Sequence, residues 1–445
     1  MLRIFTDVET GRRELLLRAR AEESSLPEAV GARLKEALGA ELEPGAAVAE
    51  IIRRVRAGGD EALRQLTRDL DGAEPAALEV ERSQVREAYT RVDPALVSAL
   101  RYAAERIRAF HTMHLPRSWM QYESGGAIGQ IIRPLERVGL YSPRGSAGYP
   151  STILMSAVPA RVAGVDEIVL CAPPVDGALP SASTLVAADV AGVDRVFAIG
   201  GAQAIAAMAY GTETIPRVDK VLGPGNLFVA LAKKQVSGDV AIDQIAGPTE
   251  TLLVADETAD AGAVALDLLA QSEHDPMASA LLITTSLDLA KRVAAEIDAR
   301  LPALSRGAVA AESLRRNGGA VVVPDLATAL DLANGYAPEH LCLLCRDPWS
   351  LVGRVRNAGG VFVGEQSLEA IGDYTAGPSH IMPTGGTARF SSPLNVWDFL
   401  KVTSLFALSP EKAREVGPAA VTIAEAEGFT AHAEAIRHRQ RGGGT

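Results

Sequence analysis

The amino-acid sequence predicts an α/β protein with two parallel-sheet domains, a helical N-terminal region and a small C-terminal segment. Three observations carry that expectation. The short apolar runs EIVLCAPP, RVFAIGGAQ and KVLGPGN each follow a Val-Asp pair, at Val165-Asp166, Val193-Asp194 and Val218-Asp219, and an Ala-rich helical stretch precedes each. Those pairs lie 28 and 25 residues apart, the length of one βα unit, so residues 141–247 read as a parallel sheet covered by helices. A second series follows from Thr251, in which TLLVAD, ALLITT, AVVVP and HLCLL alternate with helical runs at 259–274, 287–302 and 325–336. Together they give two Rossmann-like parallel-sheet domains.

The remaining elements follow from composition and period. Residues 1–27 read as an N-terminal arm; its apolar residues are broken by charges every few positions, unlike a secretory leader, which points to a cytoplasmic protein. From about 26 to 112 the chain is rich in Ala, Arg, Glu and Leu with helical periodicity, and little in it suggests a strand before 129–132. The expected organisation joins 28–140 to 248–394 in one α/β domain, makes 141–247 the other, and leaves 395–445 as a C-terminal helical segment ending in a frayed tail.

Bulk properties exclude several classes. With 47% hydrophobic and 22% charged residues in 445, burial outweighs chain entropy and the chain folds. A formal net charge of -11 argues against an extended nucleic-acid surface, while leaving room for a local basic pocket. The longest charge-free stretch, about 196–212, contains Gly, Gln and Thr and does not read as a membrane span. Cys171, Cys342 and Cys345 cannot build a disulfide framework. Cys342 and Cys345 have C-x-x-C spacing on an apparent strand, where residues three apart face opposite sides, so they read as core residues and not as a chelating pair.

Glycine-rich loops stand at strand C-termini: 142–147, Gly200-Gly201-Ala202-Gln203, and Gly223-Pro224-Gly225-Asn226. No full G-x-G-x-x-G occurs, since Phe228 takes the third glycine position. These loops are either phosphate-binding helix starts or merely tight turns. Four constellations can carry chemistry. Gln271 and His274, spaced i, i+3 at a helix end, can offer an amide oxygen and a ring nitrogen to one metal ion. Glu339-His340, between Pro338 and a strand, can supply two bases of different strength if the backbone is irregular there; otherwise Glu339 is solvated and His340 caps the strand. The stretch from Gly372 to His380 reads as a loop in which Asp373 and His380 can ligate or contact a substrate, or simply form a turn. Glu427 and His432 lie on a C-terminal helix and matter only if that helix covers an active cleft, its own or a partner's. His111, His114 and His438 sit in contexts that look like helical surface.

LERVGLYSPRGSAGYPSTILM, GGAQAIAAMAYGTE, VDKVLGPGN, AIDQIAGPTE, DLLAQSEHDP, NGYAPEHL, GDYTAGPSHIMPTGGTARFSSPL and EGFTAHAEAIRHR together resemble the histidinol dehydrogenase family, in order over about 30–440. The resemblance implies a zinc- and NAD-dependent enzyme that oxidises L-histidinol through L-histidinaldehyde to L-histidine, the last step of histidine biosynthesis. It implies Gln271, His274, Asp373 and His432 as zinc ligands, and Glu339 and His340 as the catalytic acid/base pair. Thr249, His340, Glu427 and His432, with the first three zinc ligands, would line the substrate pocket, and Tyr141, Gln203 and Asn226 would contact NAD. It further implies a homodimer with intertwined terminal segments, so that Glu427 and His432 come from the other subunit. Domain 141–247 would then bind NAD, and 28–140 with 248–394 would hold zinc and substrate. Thr249 stands where the family pattern has Ser, and Arg144 where it has Gly. From the residues alone, a zinc hydrolase with Glu339 as base on a metal-bound water is the alternative.

Overall fold

The computed structural model describes residues 2–18, 28–74, 76–123, 125–143, 149–175 and 179–441. In chain order the strands are β1 (Ile4–Phe5), β2 (Trp119–Glu123), β3 (Gly126–Pro134), β4 (Arg137–Tyr141) and β5 (Glu167–Ala172). Then come β6 (Arg195–Ala198), β7 (Lys220–Leu222), β8 (Ala241–Ile242), β9 (Glu250–Ala255) and β10 (Ser279–Thr284). The last are β11 (Gly319–Val322), β12 (His340–Leu344), β13 (Gly360–Val363) and β14 (Leu400–Leu408).

Two parallel sheets form as the repeated pattern predicts. The first runs β6-β5-β4-β7-β8 and the second β1-β11-β10-β9-β12-β13. Apart from β1 at the edge, both place their own first to fifth strands in the order 3-2-1-4-5. The order therefore reverses between β4 and β7 in one sheet and between β9 and β12 in the other, the places where such sheets open a crevice.

The repeated Ala-Gly-Val-Asp has a physical reason. Gly164 and Gly192 adopt φ of +91° and +81° and end the helices Pro150–Ala163 and Ala182–Ala191, a left-handed step that glycine takes at little cost. Val165 and Val193 are then buried. Asp194 accepts the Ile168 N–H at 2.7 Å, and Asp219 those of Glu136 and Arg137 at 3.0 Å, so the acid satisfies the start of a neighbouring strand.

Both sheets are covered on both faces, which is why their strands are apolar runs; every residue of β9 is buried. In β5, Ile168 and Leu170 join one core while Val169 and Cys171 join the other. Cys342 belongs to one core of the second sheet and Cys345 packs beside the other, as the strand reading requires. The helices Pro44–Leu66 and Pro94–Met113 cover opposite faces of the first sheet, through Ile51, Val55 and Leu63 on one and Val97 and Ile107 on the other. The helical region N-terminal to β2 thus shares its cores with β4–β7.

A third sheet, β14-β3-β2, is antiparallel and was not foreseen beyond 129–132. All of β2 is exposed and most of β14 is too, so neither shows the burial pattern that marks a strand. β1, β13 and the helix Gly307–Asn317 also extend the second unit beyond the expected elements. The chain closes in a helical hairpin, Pro410–Ala426 and Thr430–Arg441. Among the described residues no helix is long and apolar enough to cross a membrane.

Candidate active site

Five of the residues singled out in the sequence, Thr249, Gln271, Glu339, His340 and Asp373, meet where β9 and β12 begin. Thr249 and Glu250 lead into β9, and Glu339 and His340 into β12. Just upstream, Ala337 takes φ of +54°, the one non-glycine residue with positive φ among those described. This left-handed step costs on the order of 1–3 kcal/mol and supplies the irregular backbone the Glu-His pair needs. It brings Glu339 Oε2 to 3.7 Å from His340 Nδ1.

Every group here is tightly held. Glu339 Oε2 accepts from Thr249 Oγ1 at 2.6 Å and from the Glu250 N–H at 2.9 Å. With its amide nitrogen donating to Glu369 Oε1 at 2.8 Å, the Gln271 oxygen accepts from the Glu250 N–H at 3.0 Å and lies beside the Thr249 hydroxyl. His340 Nδ1 lies 3.0 Å from the Glu250 carbonyl oxygen, so as a donor it leaves Nε2 to face the cleft. That Nε2 is buried without a hydrogen-bond partner, 3.6 Å from Asp373 Oδ1. Arg18 braces the strand start by bonding both oxygens of Glu250, at 2.5 and 2.7 Å, and the Tyr336 carbonyl at 2.6 Å.

Burial pushes both Glu339 and Glu369 up to about 7. Burial also acts against a charged His340, but Glu369, Glu339 and Asp373 around it hold its pKa well above the ordinary value. For Asp373, burial raises and the His340 hydrogen bond and nearby imidazoles lower, and the net is downward. His274 is depressed, chiefly by burial; its side chain reaches solvent, yet enough protein surrounds the ring to disfavour the cation. An ionised carboxylate thus stands beside a neutral imidazole.

His340, Glu369 and Asp373 offer donor atoms all within 4.8 Å of one another, a group able to hold a cation. Glu369 escaped the sequence reading, although it lies four residues before Asp373, one helical turn away. The two occupy the short helix Glu369–Tyr374, which corrects the expectation of a loop there. The helix carrying Gln271 ends at Ser272, so the expected shared helical face is also corrected: Gln271 is buried in the hydrogen-bonded cluster and His274 is exposed just past the end. Arg306 fixes that turn through the Glu273 and His274 carbonyls at 2.7 and 3.2 Å. His380 donates or accepts through both ring nitrogens, to the Asp373 carbonyl at 2.7 Å and Thr152 Oγ1 at 3.3 Å, tying the Asp373 segment to the helix that follows β4.

That tie sets the cleft against the C-terminal edge of the first sheet. Tyr141 ends β4, buried, its hydroxyl accepting from the Gly201 N–H at 3.1 Å. Gln203 is buried and donates to Asp71 at 2.9 Å. Asn226 is exposed and caps the helix Leu227–Val236 by accepting from Phe228 and Val229 N–H at 3.1 and 3.2 Å. Arg144 lies outside the described residues. Glu427 and His432 are exposed on the closing hairpin, His432 packed on the Phe429 ring at 5.3 Å, and among the described residues neither bonds to the cluster. His111 departs from its surface-like reading: it is 1% exposed, with both ring nitrogens unpartnered. Burial pushes all three cysteine thiols up, which keeps them protonated and poor nucleophiles.

The sequence profile described as Histidinol dehydrogenase matches residues 39–440. The chain belongs to the histidinol dehydrogenase family. It is 50% identical over 416 residues to the histidinol dehydrogenase of Deinococcus radiodurans, covering 93% of this chain and 95% of that one. With the Moorella thermoacetica enzyme it shares 51% identity over 399 residues, 89% of this chain and 94% of the relative. The crystal structure of histidinol dehydrogenase from Elizabethkingia anophelis superposes with a TM-score of 0.91 at 30% identity, covering 99% of this chain and 98% of that one. Membership makes the chain an NAD-dependent oxidoreductase of histidine biosynthesis and removes the hydrolase alternative.

Proposed function

We propose that the chain oxidises L-histidinol to L-histidine through L-histidinaldehyde, passing two hydrides to two NAD at a zinc-bearing site between the two parallel sheets. The observation that carries this reading is the buried, unpartnered His340 Nε2 facing the cleft beside Asp373. Asp373, part of a donor group able to hold a cation, would hold zinc together with the His274 imidazole and the Gln271 amide oxygen, with His432 of the partner subunit as the fourth donor. Bound zinc would hold the imidazole and amino nitrogens of histidinol, orienting its alcohol carbon toward NAD. A metal cation at Asp373 would offset the carboxylate charge that holds the His340 pKa up, and His340, its ring held by the Glu250 carbonyl, then takes the hydroxyl proton as hydride leaves. Glu339, poised near neutrality, takes a proton from the water that hydrates the aldehyde. Thr249 orients that carboxylate through its hydroxyl.

Tyr141, Gln203 and Asn226 place NAD at the β4/β7 crevice, where the Gln203–Asp71 bond fixes the helix start. A homodimer is supported by the antiparallel sheet, which exposes Phe406 and Trp119 on one face and Tyr122 and Met120 on the other. A sheet with apolar residues exposed on both faces suits a second copy, whose C-terminal hairpin would bring Glu427 and His432 to the cleft. Following NADH formation on adding histidinol, before and after chelation, tests the reading; two NADH per histidinol, abolished by chelation and restored by zinc, are expected. Turnover unaffected by complete metal removal would overturn it.

A further inference from the structure

The Gly223–Asn226 turn is held from beneath by a buried ion pair. The Gly223 N–H donates to Asp243 Oδ2 at 2.8 Å, and its carbonyl accepts from Lys233 Nζ at 2.9 Å. Lys233 Nζ also meets Asp243 Oδ1, closing a ring around one residue of the turn. The two side chains are only 2% and 4% exposed. Lys233 lies on the inward face of the helix that the turn opens, with Val229, Ala232 and Val236, and Asp243 directly follows β8.

Packing alone does not call for charges here. Desolvating an ion pair costs several kcal/mol per ion, and apolar residues of like volume often serve stability as well or better. What this pair does and apolar residues cannot is bond both polar groups of Gly223. That residue has φ of +119°, and a Cβ there would collide with the Tyr141 carbonyl oxygen, so the turn runs hard against the end of β4. Neutral packing would leave the buried Gly223 N–H and C=O unsatisfied and free to reorient.

We propose that Lys233 and Asp243 are a positioning pair that holds the Gly223–Asn226 turn in the shape that receives the diphosphate of NAD. This deepens the reading of that turn as the NAD site and rests on it. Neither side chain touches the dinucleotide; both act through Gly223. Because NAD meets the same turn before and during hydride transfer, loss of the pair weakens NAD binding in both states and leaves kcat at saturating NAD nearly unchanged.

The test is one chain carrying Lys233→Met and Asp243→Leu, which removes both charges together and avoids a lone buried ion. NAD affinity is measured by direct titration, with the kinetic constants for both substrates and thermal unfolding alongside. The variant is expected to unfold cooperatively, to bind NAD about tenfold or more weakly, a loss of about 1.4 kcal/mol, and to keep its kcat and its KM for histidinol within about twofold. Lys233→Arg, which keeps a charged donor, should recover part of the affinity. Asn226→Asp serves as the control for the site itself, since Asp caps a helix as well as Asn but sets a negative charge against the diphosphate. If Asn226→Asp weakens NAD and the double variant does not, the positioning role is overturned while the NAD site stands. If neither weakens NAD, the turn is not the NAD site and the inference falls with it. A double variant whose kcat and both KM values worsen together, with loss of cooperative unfolding, would show the pair to be purely structural and overturn the proposal.

Discussion

Replacing Glu339 by Gln separates what the carboxylate does for the reaction from what it costs the fold. Gln keeps the size and the acceptor oxygen that Thr249 and the Glu250 N–H bond, so the strand start should survive. The structural cost follows from linkage. Burial raises Glu339 from 4.5 to about 7, so the native state holds a proton that the unfolded chain has already released between those values. Wild-type stability therefore falls as pH rises from about 4.5 to 7, by 2.5 × ~1.36, or about 3 kcal/mol. Gln does not titrate and escapes that loss; burying its extra N–H group returns about 1 kcal/mol, leaving the variant more stable at pH 8 by about 2 kcal/mol. Its advantage should be gone at pH 4.5. The catalytic cost is a general base, on the order of 10² to 10⁴ in rate, and it should fall on the aldehyde half reaction, which needs an activated water. Melting curves at the two pH values, with NADH formation measured separately from histidinol and from histidinaldehyde, give both quantities. A variant destabilised at pH 8 would refute the burial argument, and equal losses in the two half reactions would refute the division of labour between Glu339 and His340.

His274→Ala should leave the purified protein without zinc, because three remaining donors close the site poorly; stoichiometric metal with full activity would remove His274 from the ligand set. Mixing His274→Ala with His432→Ala subunits should restore activity to about one quarter of wild type, half of the dimers being mixed and each holding one intact site. No recovery in dimers shown to be mixed would mean that His432 serves its own subunit or no zinc at all. His111, pushed down to about 4 by burial, must shed a proton that the unfolded chain keeps, so stability falls as pH drops from about 6.5 toward 4. His111→Leu should remove on the order of 3 kcal/mol of that acid sensitivity in denaturant titrations, and an unchanged pH profile would show the ring to be solvated.

The parallel sheets were legible because each strand carries its own boundary signals. In both Ala-Gly-Val-Asp copies the Gly is a left-handed helix stop and the Val enters a core, and in the second the Asp accepts a strand N–H, so one tetrapeptide can fix three local events. β14 carries no such signals: beyond Leu400, which packs on a core, its apolar residues are mostly exposed, and pairing with β3 makes it a strand. The candidate site residues came from family motifs more than from spacing. Spacing put Gln271 and His274 on one helical face; the helix ends between them at Ser272, with Gln271 buried and His274 exposed but still near Asp373 and His340. Glu369 reaches the cluster from a short helix whose sequence, rich in small residues after Ile371, reads as a loop. His111 shows the opposite failure, since its Arg-rich neighbours hide a ring that points into the protein.

The placement of the chemistry departs from the usual rule for open parallel sheets, and the fold supplies the reason. Ligands are expected beyond the C-terminal ends of strands at the point of reversal. The first sheet obeys, with Tyr141 and the Gly223–Asn226 turn at the ends of β4 and β7. In the second sheet the corresponding end is closed: Asp256 after β9 accepts from the Arg346 N–H after β12 at 2.9 Å and from Thr258 N–H at 2.9 Å, bolting the crevice shut. The reactive residues stand instead at the opposite edge, where β9 and β12 begin. The chain leaves the C-terminal end of β8 and enters the N-terminal end of β9 within residues 243–249, and the Gly247 N–H is tied to Thr384 at 2.6 Å. So short a link brings the open edge of one sheet against the starting edge of the other. His380 bonds across that junction from the Asp373 segment to Thr152. On the proposed reading, a hydride acceptor bound by the first sheet meets a substrate bound by the second without either sheet having to hold both, and the cost is a strand start that must be irregular, as Ala337 is.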